Sequence, residues 1–224
     1  STDISVDAWS YSQSAFVTHL RPERSHQYTA WQRFSPTGPL AFLPLLTESG
    51  DEHYCSIVWS QDTAEARRLM ALETEQFRLE LERAIEQQLG VIESVSRRFA
   101  FPLRQRHAKE YVADGLALVG DAAHVIHPLA GQGINLGFAD AEALSGELNR
   151  AFERGLALSE PSIYRRYERK RRTHNQVALW AMQGIKTGFE LSHPAAVIAR
   201  NEGMRLFNRS RWLKKQAVKF AQGR

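Results

Sequence analysis

The chain has 224 residues, of which 43% are hydrophobic, 10% aromatic and 24% charged. This composition is typical of a globular protein and excludes a collagen-like, coiled-coil or disordered chain. It contains no uninterrupted apolar stretch of about 18 residues, so no membrane-spanning helix is predicted. The single cysteine, Cys55, excludes an intrachain disulfide and a cysteine-rich metal site.

Charge is distributed unevenly along the chain. Residues 1–160 carry 14 Lys and Arg against 22 Asp and Glu, whereas residues 161–224 carry 15 against 3. A basic C-terminal part is typical of a surface that meets nucleic acid, an anionic membrane or an acidic partner. A solvated helical surface would have the same composition.

The first third of the chain predicts an antiparallel sheet. Aromatic and β-branched residues partly alternate over 9–20 and again over 26–34, and apolar runs follow at 40–46 and 53–60. Short turns rich in Pro, Gly, Ser and charged residues separate these segments, which is the pattern of consecutive antiparallel strands.

The middle of the chain predicts two helices followed by further strands. Asp62 is suited to cap a helix over 63–71, and 74–89 repeats apolar residues about every four positions. Strand patterns return over 91–112. The short apolar run 116–119 resembles a fully buried strand of a parallel sheet.

The last part of the chain predicts helices over 131–152, over 161–189 and from Pro194 to the end. Pro161 is well placed in a first helical turn, where its missing N–H costs no hydrogen bond. Strands thus precede a mixed middle and a helical end, which predicts an α+β fold or two interleaved α/β layers.

The segment from Gly120 to Asp140 carries the most informative pattern. The apolar run before it delivers the Asp121 carboxylate at the end of a strand, where open α/β sheets bind ligands. A carboxylate there is an acceptor suited to sugar or polyol hydroxyls. Pro128 stiffens the loop that follows.

Glycines and an amide follow at the start of the predicted helix. Gly131 and Gly133 allow backbone to approach a ligand closely, and the amides from Gly131 onward favour negative charge at a helix N-terminus. Asn135 offers both a donor and an acceptor to a polar ring edge.

Each of these features has an ordinary structural alternative. Asp121 is also suited to capping a turn, and the glycines around Gln132 are also compatible with a simple turn. His124 and His127 have a spacing found in metal sites, but no third ligand lies nearby in the sequence, which favours loop histidines and predicts no metal.

The set as a whole resembles the second flavin motif of the para-hydroxybenzoate-hydroxylase-like FAD aromatic hydroxylases. The resemblance is strongest to their ubiquinone-biosynthesis branch, the polyprenylphenol hydroxylases. It rests on Gly120-Asp121-Ala122-Ala123-His124, Pro128, Gly131 to Gly137 and Asp140-Ala141, with supporting matches at 40–45, 55–60, 101–103 and 164–169. It weakens after about residue 190.

The resemblance implies a role for each motif residue. Asp121 would bind the flavin ribityl chain, Pro128 would lie beside the isoalloxazine ring, and the backbone near Gly133 would face the pyrimidine edge. The implied cofactor-binding set is Asp121, Pro128, Gly131, Gln132, Gly133, Ile134 and Asn135. Phe42, Pro44 and Trp59 would line the substrate pocket, although such residues are more often simple core.

The resemblance also implies an activity. Enzymes of this family are reduced by NAD(P)H, react with oxygen and transfer oxygen from a flavin hydroperoxide to an electron-rich ring. Here the ring would be that of a polyprenylated phenol in ubiquinone biosynthesis. Because the cofactor supplies the chemistry, no catalytic side chain is assigned. A small soluble aromatic substrate and a non-catalytic lipid- or partner-binding subunit stay open as alternatives.

The first flavin motif of the family, Gly-x-Gly-x-x-Gly after a strand, does not occur in these 224 residues. The chain therefore resembles the C-terminal portion of a hydroxylase, with a substrate sheet at 1–112 that includes helices within 62–89, a remnant of the FAD domain at 113–160 and a helical region at 161–224. We expect this portion alone to be inactive, to bind FAD weakly and to self-associate through its open strand edge.

The C-terminal residues 203–224 predict a basic amphipathic helix. Leu206, Leu213 and Phe220 recur at helical spacing among Arg and Lys. This pattern fits peripheral contact with a membrane, contact with a partner enzyme, or packing on the protein itself. No nucleic-acid-binding fold is recognised. The expected location is the cytoplasm, with peripheral contact at the inner membrane face.

Overall fold

The structure is a computed structural model that describes residues 4–35, 37–126, 133–191 and 193–221. The chain divides into two compact units. The sheet unit consists of Tyr11–Leu103 with the described part of Phe189–Ser192, and the helical unit consists of the described parts of Ser1–Ser10, Arg104–Gly188 and His193–Arg224. The predicted division by chain order at residues 112 and 160 stays a prediction.

The sheet unit is built from antiparallel strands. They are β1 (Val6–Pro22, which begins in the helical unit), β2 (Trp31–Ser35), β3 (Gly38–Pro44), β4 (Cys55–Asp62) and β5 (Ile92–Val95). The order is β2-β3-β4-β1, with β5 also on β1. Two helices, α1 (Thr63–Ala71) and α2 (Thr74–Ala84), follow β4 in the chain. The predicted α+β class with a largely antiparallel sheet is confirmed.

Strand register fixes which side chains share the core of the sheet unit. Trp59 pairs with Phe16 on one side and with Leu40 on the other, so the three side chains lie on one face. The rings of Phe16 and Trp59 lie 6.3 and 6.2 Å from that of Phe77 in α2. The same core buries Cys55, and this burial raises the pKa of its thiol to about 11.

Helix α1 has the predicted bounds, but α2 is shorter than predicted. It ends at Ala84 because Glu86 and Gln87 adopt φ values of +56° and +51°, which no helix continues. The guanidinium of Arg33 donates to the Ala84 carbonyl at 2.7 Å, so a strand residue satisfies one of the last helical acceptors. Asp62 precedes α1 without a side-chain cap bond and instead accepts a hydrogen bond from Gln13 at 3.3 Å.

The prediction of a strand from His26 is wrong for its first five residues. Gln27 and Tyr28 have φ values of +51° and +52°, and β2 begins only at Trp31. The Tyr28 amide donates to Nδ1 of His26 at 3.0 Å, which closes a local turn. The buried His26 side chain thus accepts a hydrogen bond from the backbone two residues later, and this local turn outweighs the strand that the alternating pattern predicts.

The helical unit contains short strand pairs and four helices. Strand β6 (Phe99–Ala108) enters it at Arg104 and pairs antiparallel with β9 (His124–Val125), while β7 (Val112–Ala113) pairs with β8 (Leu116–Ala117). The helices are α3 (Gly133–Glu153), α4 (Pro161–Glu190), α5 (Pro194–Arg209) and α6 (Arg211–Ala221). In the described part of the chain, no helix is long and apolar enough to cross a membrane.

The prediction that residues 116–119 form a buried parallel strand is wrong. Only Leu116 and Ala117 form β8, and their pairing with β7 is antiparallel. The Leu118 amide donates to the Tyr111 carbonyl at 2.7 Å, in register with this antiparallel pair, and the Leu118 carbonyl accepts from the Tyr167 hydroxyl at 2.6 Å. Residues 116–118 therefore belong to a local hairpin, and the Tyr167 bond ties its end to helix α4. Self-association of the chain stays a prediction.

Candidate functional site

A buried carboxylate, Asp140 in α3, organises the motif. Its Oδ2 accepts the Gly120 amide at 3.0 Å and lies 2.6 Å from Nε2 of His124. An ionised carboxylate only accepts hydrogen bonds, so Nε2 of His124 carries the proton. The Asp140 side chain has no solvent exposure. Gly120, strand β9 and helix α3 therefore meet at this one carboxylate.

Helix α4 supplies the other donors to this carboxylate. Nε of Arg171 donates to Oδ1 of Asp140 at 2.7 Å, and the amide of Asn175 donates to the same oxygen at 3.1 Å. Arg171 also donates to the Asn175 amide oxygen at 3.0 Å. Arg171 and Asn175 are spaced i, i+4, which places both on one face of α4.

The network stabilises the charged form of Asp140. Burial alone would raise the pKa of this carboxyl, but the hydrogen bonds from His124, Arg171 and Asn175 outweigh burial and lower the pKa to about 2. The hydroxyl of Tyr111 extends the network, because it accepts from Asn175 at 3.2 Å and contacts Nε2 of His107 at 3.0 Å. Burial raises the pKa of Tyr111 above its usual range.

Two glycines allow the motif backbone to pack closely. Gly120 has a φ of +57°, in the left-handed region, and begins a single 3-10 turn over Gly120–Ala122. A Cβ added to Gly137 in α3 would lie 3.3 Å from the Gly120 Cα. A methyl group at Gly137 would therefore crowd the turn that carries Asp121, and any side chain at Gly120 would be strained by the left-handed φ.

This packing forms a cleft of about 530 Å³ within the helical unit. It is lined by Val119, Gly120, Asp121, Val125, Ile126, Gly133, Ile134, Gly137 and Phe138. Asp121 is exposed on it, and Ile134 and Phe138 expose 66% and 68% of their surface. A Cβ added at Gly133 would meet no atom within 4 Å, so the start of α3 presents bare backbone.

The structure brings together three of the predicted cofactor residues, Asp121, Gly133 and Ile134. Asn135 is exposed in the same first turn of α3. Pro128, Gly131 and Gln132 lie outside the described residues, so their predicted roles stay predictions. His124 serves the Asp140 network, and no cluster of metal ligands occurs in the described parts of the chain.

The residues that are present fit a flavin. An exposed carboxylate at Asp121 is an acceptor for ribityl hydroxyls, and the bare backbone at Gly133 admits a flat ring system at a helix N-terminus. The apolar side chains of Ile134 and Phe138 are suited to contact with such a ring.

The predicted substrate residues lie in the sheet unit. Phe42 is fully buried and Trp59 is 5% exposed, and both belong to the core that packs on α1 and α2. Pro44 ends β3 and is half-buried. Core packing accounts for Phe42 and Trp59, and the substrate roles of all three residues stay predictions. The opposite sheet face carries Leu43, which is 38% exposed, and the half-buried Val58.

Sequence reasoning missed Arg171 and Asn175 as supports of the motif. Asp140 belongs to the motif, but its position in the predicted helix did not indicate which residues would hydrogen-bond to it. The available signal was an Arg and an Asn at i, i+4 on the apolar side of a strongly basic helix, next to the buried Tyr167. Polar residues on a buried helix face have hydrogen-bond partners, but residue spacing alone did not identify Asp140 as the partner of these two.

Comparison with known proteins agrees with this geometry. Residues 2–181 match the model of the family described as FAD binding domain. The chain belongs to this family. It is 39% identical to 3-demethoxyubiquinol 3-hydroxylase of Escherichia coli K12, with 98% of this chain and 55% of the relative covered. It is 35% identical to a ubiquinone hydroxylase of Rhodospirillum rubrum, with 100% and 51% covered.

A solved structure shows the same fold. The p-nitrophenol 4-monooxygenase of Pseudomonas putida DLL-E4 superposes with a TM-score of 0.72 at 18% identity, over 99% of this chain and 55% of that one. The chain spans about half the length of the curated relatives it matches. The resemblance to FAD-dependent hydroxylases of ubiquinone biosynthesis is therefore confirmed at the level of the FAD binding domain family.

Asp140→Asn should destabilise the helical unit by about 3–5 kcal/mol, because it leaves the buried Arg171 without its counter-ion. The exposed Asp114→Asn is the matched control and should change stability by less than about 0.5 kcal/mol. Urea unfolding at pH 7 measures both. Equal stability of the two variants would contradict the role assigned to the network.

The same carboxylate predicts a pH dependence. The pKa of Asp140 in the folded protein, about 2, lies below the ordinary aspartate pKa of 3.8, so its contribution to stability is complete above pH 3.8 and is lost as the pH falls through 2. The difference corresponds to about 2 kcal/mol. Asp140→Asn should remove this part of the acid destabilisation, and an unchanged acid profile would refute it.

Gly137→Ala and Gly146→Ala make the same change in one helix. Alanine at Gly146 meets no neighbour and should stabilise α3 by about 0.5–1 kcal/mol. At Gly137 the new methyl group meets the Gly120 Cα, so this gain should be cancelled or reversed. Unfolding midpoints that rise equally in both variants would rule out the close packing of α3 on the turn.

Proposed function

We propose that this chain forms the flavin-facing and substrate-facing part of a FAD-dependent monooxygenase that hydroxylates the ring of a polyprenylated phenol in ubiquinone biosynthesis. The observation that carries the proposal is the cleft in which the exposed Asp121 carboxylate and the bare backbone of Gly133 lie together. Relatives at 39% and 35% identity, named as a 3-demethoxyubiquinol 3-hydroxylase and a ubiquinone hydroxylase, support the substrate class.

Asp121 and α3 would hold the cofactor. The Asp121 carboxylate would accept hydrogen bonds from ribityl hydroxyls, and the amides of Gly133 and Ile134 at the start of α3 would donate to the pyrimidine edge. Partial positive charge at this helix N-terminus favours negative charge on that edge. FAD, when bound and reduced by NADH or NADPH, supplies the activation of oxygen for aromatic hydroxylation.

Other residues of the helical unit hold the Asp121 turn in place and line the cleft. Asp140, His124 and Arg171 hold the Asp121 turn against α3, so the site is formed before the cofactor arrives. Val119, Ile126 and Phe138 give the cleft apolar lining against which a flavin ring would pack. The antiparallel sheet carries Phe42, Pro44 and Trp59, which we propose as supports of the substrate wall.

The proposal is tested in a longer protein that carries these residues together with a Gly-x-Gly-x-x-Gly segment. It should oxidise NADH or NADPH and hydroxylate a polyprenylated phenol in the presence of oxygen. A small soluble phenol is the comparison substrate. Faster turnover of the small phenol would replace the proposed substrate class. Flavin binding without any hydroxylation would favour a non-catalytic lipid- or partner-binding subunit.

Asp121→Ala in that protein should lower flavin content after purification at least about tenfold, because a hydrogen bond to a charged group contributes about 1.5–3 kcal/mol. Asp114→Ala is the matched control, since Asp114 is exposed in the turn before β8 and does not line the cleft. Flavin absorbance per protein is the measurement. Equal flavin content in the two variants would refute the Asp121 contact.

A further inference from the structure

The two C-terminal helices, α5 and α6, bury none of the residues whose burial the structure describes. We call them the C-terminal helical pair. Their exposed large apolar side chains are Ile198, Met204, Leu206, Phe207, Trp212, Leu213 and Val218. Helices of 16 and 11 residues gain most of their stability from packing. The pair therefore presents apolar surface that packing among the described residues does not cover.

The side chains of α6 separate into two faces. At about 100° per residue, Leu213 and Ala217 lie on one side of the helix, and Arg211, Lys215 and Lys219 lie on the other. Trp212 lies at the edge between the two sides, next to Lys219. Trp212 exposes 65% of its surface. Ser210 joins α5 to α6, and its hydroxyl accepts the Leu213 amide at 3.2 Å, which caps the start of α6.

The charge of the pair selects the kind of partner. Residues 194–221 contain seven Lys and Arg but only one acidic residue, Glu202. Glu202 is engaged by Arg205 at 2.6 Å. A symmetric contact between two copies through this same pair would bring like positive charges together, which is unfavourable. A partner surface with dense negative charge would attract the basic side chains of the pair. An accessible apolar layer in the same surface would cover its apolar side chains.

We propose that the C-terminal helical pair binds the surface of an anionic lipid bilayer. Helix α6 lies in the plane of the interface, with Trp212 and Leu213 at the boundary between headgroups and acyl chains. The basic side chains extend along the surface toward lipid phosphates. Because no described helix spans a membrane, the contact is peripheral. This inference goes beyond the proposed function and does not depend on it.

Flotation of the full chain with vesicles in a density gradient tests the proposal. Floating vesicles carry bound protein upward, whereas self-associated protein stays below, so aggregation does not imitate binding. Vesicles of phosphatidylcholine with phosphatidylglycerol should carry the chain upward, and vesicles of phosphatidylcholine alone should carry little of it. Raising the salt concentration should weaken flotation, because surface charges are screened.

Two double variants separate charge from apolar contact. Lys215→Gln with Lys219→Gln should reduce binding to the anionic vesicles at least about tenfold, since each basic residue near such a surface contributes about a fivefold factor. Trp212→Ser with Leu213→Ser should reduce it comparably. The matched control is Arg165→Gln with Lys170→Gln, which removes the same charge from exposed positions of α4 and should leave flotation unchanged.

Several outcomes would overturn the proposal. They are absence of flotation, equal flotation with neutral and anionic vesicles, or an equal loss in the α4 control. Light scattering on the same samples measures self-association. If the pair binds a second copy and not a bilayer, wild type will fail to float and the variant at Trp212 and Leu213 will have a lower oligomer mass. Far-UV circular dichroism verifies that the variants keep their helices. All substituted side chains are exposed, so the fold should persist.

Discussion

The buried charge of Asp140 is the interaction on which the rest of the candidate site depends. An ionised carboxylate without solvent costs several kcal/mol unless donors surround it. Here the donors are the Gly120 amide, His124, Arg171 and Asn175, which come from separate segments of the helical unit. The carboxylate is satisfied only when all these segments are in place. Its burial therefore fixes the turn from which Asp121 projects.

Glycine packing and charge burial enforce each other at this turn. The Gly120 amide reaches Asp140 only if α3 lies close to the turn, and α3 lies close only because Gly137 has no side chain. The positive φ of Gly120 directs the amide inward. A short sequence thus combines a conformational requirement, a steric requirement and an electrostatic one. This combination explains why the motif as a set is far more specific than a lone Gly-x-Gly.

The sequence predicted the elements that local pattern determines. Strands β3 and β4, helix α1 and the long helix α4 lie within a few residues of their predicted bounds, because each buries a continuous apolar face. Predictions were wrong where distant residues decide. Arg33 binds the last carbonyl of α2 from 51 positions away, and the Tyr167 hydroxyl binds the Leu118 carbonyl from 49 positions away. The motif predicted the cleft, but Arg171 and Asn175 lie 31 and 35 positions beyond Asp140, where no spacing rule reaches.

The two surfaces of the helical unit for which we propose a function differ in how they are built. At the motif cleft, buried hydrogen bonds hold the backbone before any ligand arrives, so little ordering entropy is lost on binding a rigid ring. The C-terminal helical pair buries nothing of its own, and its binding free energy must come from the partner it meets. A bilayer suits such a surface, because it demands no fixed geometry and responds to area and charge alone. The motif cleft therefore positions its groups precisely, as alignment of a cofactor ring would require. In the C-terminal helical pair, an exposed basic amphipathic segment suffices, because only attachment would be needed there.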